Sequence, residues 1–131
     1  MTDAISTALS GVHAAARRLA GVADNVANQR SSGRLEPKPG EATAYQPVTT
    51  VQESTLGGGT RAYYRPLSPA TRPVYEPDSP NADEAGLVAE PNVDAARELT
   101  EALSARQAYA ANLKTIRAAT DMQKELLKTF A

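Results

Sequence analysis

The chain has 131 residues, 41 % of them hydrophobic, a net charge of −1, one His and one Phe, and neither Cys nor Trp. Without Cys there are no disulfides, thiolate metal sites or cysteine nucleophiles, and so few aromatics argue against a large compact core. No basic stripe interleaved with aromatics supports nucleic-acid binding, and no apolar run reaches the ~18 residues that would span a membrane.

In chain order, residues 3–29 read as one amphipathic helix, started by Thr2 or Asp3 as cap. Ile5, Leu9, Val12, Ala16, Leu19, Ala23 and Val26 alternate in steps of four and three, the spacing of a narrow coiled-coil seam. Gly11 and Gly21 flank that seam and let another helix approach, at a cost of about 1 kcal/mol each in helix propensity. Asn25 and Asn28 close the helix, either by capping and turn formation or by bonding backbone in an adjoining subunit. His13 reads as a solvated helix residue, because His ligands normally occur with companions.

The middle is different. All nine prolines lie between Pro37 and Pro91, and six of the eight glycines between Gly33 and Gly86. The runs Thr43–Thr55 and Thr60–Arg65, on either side of Gly57-Gly58-Gly59, predict a β-hairpin, with Pro47 limiting the first strand to an edge. The tract lacks the Lys-Ser/Thr of a phosphate loop. Beyond Pro66, repeated prolines predict an extended course. Glu76, Asp78, Asp83 and Glu84 form an acidic patch without the ligand spacing of a calcium loop; paired with Arg61, Arg65 or Arg72 of a neighbour, it would set subunit register.

A second helix is predicted from Asn92 or Asp94 to about Thr129. Leu99, Ala102, Arg106, Tyr109, Leu113, Ile116, Thr120, Gln123, Leu127 and Phe130 repeat the alternation with polar breaks. Asn112 sits beside that seam, where a polar residue specifies register. The expected fold is mainly α: two long terminal helices packed as a coiled-coil hairpin, with an extended, partly β-hairpin middle. Its parts are a helix over 1–30, a Pro/Gly-rich insert over 31–91 and a helix over 92–131. No oriented nucleophile, base and oxyanion site is present, so neither an enzyme nor a cofactor or small-molecule substrate is expected. The start of the chain, with Asp3 in place of a basic segment, predicts no cleaved secretory signal.

Three stretches carry a resemblance. Leu19–Asn28, LAGVADNVAN, is similar to an RL…A.NIAN signature that closes the first helix of bacterial flagellar axial proteins. Tyr75–Asp94, YEPDSPNADEAGLVAEPNVD, resembles their Y-D-P-x-H-P-D-A-D-x-x-G-Y-V-x-x-P-N-V-N segment, with Ser79 for the His and Leu87 for the second Tyr. Ala105–Met122, ARQAYAANLKTIRAATDM, is similar to A-x-R-A-Y-x-A-N-x-x-x-I-x-x-A-x-x-M in their last helix. The chain therefore resembles the rod and hook proteins of the flagellum, most closely those of the proximal rod. The resemblance implies a structural subunit, exported by the flagellar type III apparatus, that assembles helically with other rod subunits in the periplasm and carries torque. The terminal helices would pack as an inner layer. The residues expected at helix seams and subunit interfaces are Ile5, Leu9, Val12, Leu19, Asn25, Val26, Asn28, Leu99, Tyr109, Asn112, Leu113, Ile116, Leu127 and Phe130. Another rod or hook-adaptor subunit is the alternative of the same class. A peripheral membrane-binding amphipathic helix is the alternative of another class, weakened by the five acidic and six basic residues of 92–131, which leave no strongly cationic face.

Overall fold

The structure, a computed structural model, describes residues 2–130. Helix α1 (Thr2–Ala27) is followed by strands β1 (Val48–Ser54), β2 (Thr60–Pro66), β3 (Thr71–Tyr75) and β4 (Leu87–Pro91), and by helix α2 (Ala95–Phe130). The strands form two separate antiparallel sheets, β1–β2 and β3–β4. The expected mainly α coiled-coil hairpin is thereby overturned: the middle is a pair of two-stranded sheets, and only the first of them was predicted.

The β1–β2 turn requires its glycines. Gly57, Gly58 and Gly59 all have φ between 91° and 98°, a region that side chains with a Cβ avoid. Register runs from Val48 opposite Pro66 to Ser54 opposite Thr60. One face of this hairpin lies on α1: the Tyr64 hydroxyl donates to the Arg17 carbonyl at 3.0 Å, and the Thr60 N–H donates to Ser10 Oγ at 3.0 Å. The Arg17 guanidinium stands 5.0 Å from the Tyr64 ring centroid, within cation–π range.

The second sheet was hidden by its prolines. Pro73 and Pro91 lie within its strands, where the missing N–H demotes a run in a sequence reading. Pairing tolerates Pro73 because Ala89 opposite it directs its backbone bonds to Gly33, which leaves Pro73 facing the free edge of β3. The turn between β3 and β4 is fixed by Asp83, whose carboxylate accepts from the N–H groups of Ala85 and Leu87 at 2.9 and 2.8 Å. Gly33 then bonds Ala89 in both directions, at 3.0 and 2.9 Å, and so brings the loop after α1 against β4. Val88, Ala89 and Pro91 of β4 are buried, as are Ala44 and Pro47 ahead of β1.

The helices run antiparallel side by side: Asn25 meets Glu98, Arg18 meets Glu101 and Ser104, and Gly11 meets Asn112. Their buried residues are small. Ala8, Val12 and Ala15 are buried on α1 and Ala105 and Ala119 on α2, while Leu9, Val26, Leu99, Leu127 and Phe130 are exposed. This is not the predicted leucine seam. On both helices burial centres about one position earlier than the expected heptad, for a physical reason visible on α1. That helix serves two partners, α2 on one stripe (Ala8, Val12, Ala15) and the hairpin on another (Ser10, Ala14, Gly21), so its contact zone is wider than a coiled-coil seam.

Candidate assembly interface

The junction of α1, α2 and β1 is organised by Asn25, which is 2 % exposed. Its Nδ2 donates to the Val48 carbonyl at 2.8 Å and to Glu98 Oε1 at 3.0 Å. Its Oδ1 accepts from the Val48 N–H at 2.9 Å and from the Tyr45 hydroxyl at 3.1 Å. Two donors and two acceptor sites are all that a primary amide possesses, so Asn25 is saturated inside its own chain. Asn28 instead bonds back along its helix to the Asp24 carbonyl at 2.9 Å.

Two turns back along α1, Arg18 forks to Glu101 at 2.6 Å and Ser104 at 3.1 Å. Gly11 lies so close to Asn112 that an added Cβ would stand 2.6 Å from its Oδ1. Asn112 Nδ2 donates to the Ala108 carbonyl at 2.8 Å. Asn25, Val48, Thr50, Leu67, Arg97 and Glu98 line part of a groove of ≈ 700 Å³ between these elements. Partial burial pushes the Glu98 carboxyl above the ordinary 4.5, and Glu101 and Asp94 add to the rise, against the opposing Asn25 bond and Arg97. Burial likewise raises the Tyr45 hydroxyl.

The Glu98 shift fixes the sign of a pH dependence. A carboxyl whose folded value exceeds its unfolded one binds more protons when folded, so the contribution of Glu98 to stability is greatest below the ordinary 4.5 and is lost as pH rises through the folded value. Glu98→Gln keeps an acceptor for Asn25 and removes the charge. Its unfolding midpoint at neutral pH is expected to equal or exceed that of wild type, with a flatter profile across the acidic window. Thermal unfolding followed by circular dichroism between pH 4 and pH 7 (about one unit per step) checks this; a lower midpoint for the variant at pH 7 would contradict it.

The expected interface residues divide. Val12 is buried, and Ile5, Leu19, Asn28, Tyr109, Asn112, Leu113 and Ile116 are half-buried. Leu9, Val26 and Leu99 are exposed on the flanks, while Leu127 and Phe130, 70 % and 86 % exposed, lie at the far end of α2. Continued at the observed register, the start of α1 falls level with Asp121. About nine residues of α2 therefore run past it, roughly 13 Å at 1.5 Å per residue. Met122 and Leu126 are also exposed on this overhang. Leu103 adds to the exposed apolar residues nearer the start of α2.

Arg18, Glu98, Glu101, Tyr45, Tyr64 and Gly33 were missed. The sequence offers a signal only for Gly33, which closes the turn-forming cluster after α1. Among the described residues no three His, Asp or Glu side chains come together to hold a metal, and no helix is long and apolar enough to cross a membrane. His13 is exposed on α1. The arrangement brings together packing surfaces and structural bonds.

Comparison with curated proteins gave no match. Residues 84–129, which hold the end of the β3–β4 turn, β4 and nearly all of α2, match the family model described as flagellar basal body rod FlgEFG protein C-terminal. That family is structural and not enzymatic, and this third of the chain is similar to the C-terminal part of flagellar basal body rod proteins.

Proposed function

We propose that the chain is a structural axial subunit of the flagellar basal-body rod, a FlgC-like component of the proximal part. In this reading the subunit leaves the cytoplasm through the flagellar type III apparatus. It assembles in the periplasm with copies of itself and with other rod subunits, and helps to transmit torque. The helices of 1–30 and 92–131 form the packing layer and the 31–91 insert faces outward or toward neighbours.

The observation that carries the reading is the apolar overhang of α2, which lies within the matched rod segment except for Phe130 and is exposed among the described residues. Met122, Leu126, Leu127 and Phe130 together expose a surface of the kind that marks association sites. Leu9, Val26 and Leu99 are further exposed apolar positions away from the overhang, whereas Ile5, Val12, Leu19, Asn25 and Asn112 hold the subunit itself together.

Leu127→Asp combined with Phe130→Asp is the test. Both side chains are exposed, so the isolated variant is expected to unfold within about 0.5 kcal/mol of wild type. A charge that must be buried without a partner in the assembly is costly, so the variant should be secreted and fail to restore swimming to a strain lacking the gene. Full swimming by the variant would remove the overhang from the assembly surface.

A further inference from the structure

The β1–β2 hairpin has a second face that nothing among the described residues covers. Strand alternation places Ala62 and Tyr64 against α1, with Ala62 buried. Arg61, Tyr63 and Arg65 therefore point outward, opposite Glu53, Val51 and Thr49 on β1. Arg61, Tyr63 and Arg65 are all exposed. Neither Arg61 nor Arg65 forms an ion pair among the described residues, whereas Arg72 is held by Glu90 at 2.8 Å. Glu53, the one acid on this face, is engaged by the Tyr63 hydroxyl at 2.6 Å, which leaves two guanidiniums flanking an aromatic ring. Tyr and Arg are the residue types that anchor protein contacts.

The same chain carries the complement. Residues 76–84 hold Glu76, Asp78, Asp83 and Glu84 and no basic residue. All four are exposed, and none is ion-paired among the described residues. Asp83 has a structural duty in the turn, which fixes the shape of the segment around it. The acidic side is thus a rigid turn, not a flexible tail.

We propose that the outer face of the β1–β2 hairpin, through Arg61, Tyr63 and Arg65, docks on the acidic 76–84 turn of a second copy of this chain. The proposal rests on the self-assembling reading above and names a surface for it away from the helices. The two patches differ, so the contact is heterologous, and a contact of that kind repeats from copy to copy into a ring or helix. Its charges steer encounter and fix register more than they add affinity.

Sedimentation velocity of the purified chain at about 10 mM salt, where screening reaches only beyond about 30 Å, tests it. Two variants are needed. In the first, Arg65→Glu reverses one cation and Arg61→Ser removes the other, since a second acid opposite Glu53 would disturb the strands. In the second, Glu76→Lys, Asp78→Lys and Glu84→Lys reverse the charge of the turn and leave Asp83 in place. Wild type is expected to self-associate at low salt and to dissociate at 1 M. Each variant alone should associate at least about tenfold more weakly, and an equimolar mixture of the two should regain the wild-type behaviour, because each then presents the charge that the other lacks. A wild type that stays monomeric, variants that associate like wild type, or a mixture that fails to recover would each overturn the proposal. The rod reading fails separately: complete flagella in cells without the gene refute it, whereas normal swimming by both charge variants refutes only this docking.

Discussion

Asn25→Ala is expected to lower the stability of the purified chain by about 3–4 kcal/mol. The substitution leaves the Val48 N–H and carbonyl, the Tyr45 hydroxyl and the Glu98 carboxylate without the partner that each has now. A buried group deprived of its partner costs about 1–3 kcal/mol, and the groups of one network do not add independently. Against a total of about 5–15 kcal/mol for a domain, that is a large fraction. Asn28→Ala is the matched control. It removes a bond to the Asp24 carbonyl within the helix's own last turns, where water substitutes, and should cost less than about 1 kcal/mol. Urea unfolding monitored by circular dichroism compares the two; equal midpoints would mean that the Asn25 junction does not hold the three elements together.

Gly33→Ala is expected to cost about 3 kcal/mol by a different route. A Cβ at this position would stand 2.2 Å from the Ala44 nitrogen and 2.4 Å from the Thr43 carbonyl carbon. Both neighbours are backbone and cannot swing away as a side chain does. Overpacking typically costs about 1–3 kcal/mol where the neighbours can relax, so the upper end applies here. Relief requires moving the 33–44 loop, which would break the paired bonds between Gly33 and Ala89. Hydrogen exchange at those two amides should accelerate in the variant, along with a lowered unfolding midpoint. Unchanged protection of Ala89 would show that the loop does not pack as described.

Asn25 and Asn28 also show where sequence reading stops. Both were candidates for the same two roles, because type and position at a helix end do not distinguish them. The difference lies in what Val48 and Glu98 bring to Asn25 from 23 and 73 positions away, and no local pattern encodes that. The two helices and the first hairpin were legible, since apolar periodicity and a glycine tract are local signals. The β3–β4 sheet was not, because Pro73 and Pro91 mask its strands. The choice of buried face was misplaced by about one position for a related reason. A heptad count weighs leucine above alanine, whereas α1, pressed between α2 and the hairpin, buries Ala8, Ala14 and Ala15 and leaves Leu9 outside. Leu9, Leu99 and Leu127, which the count put in a seam, are left for another surface. The flagellar resemblance in the sequence motifs and the family match over 84–129 agree on the C-terminal segment, which carries most of that exposed apolar surface.

Electron microscopy of basal bodies purified from cells lacking this gene tests the rod assignment most directly. The account predicts basal bodies without rod, hook or filament, all restored by the wild-type gene and not by the Leu127→Asp/Phe130→Asp variant. Complete flagella in the deletion strain would contradict it.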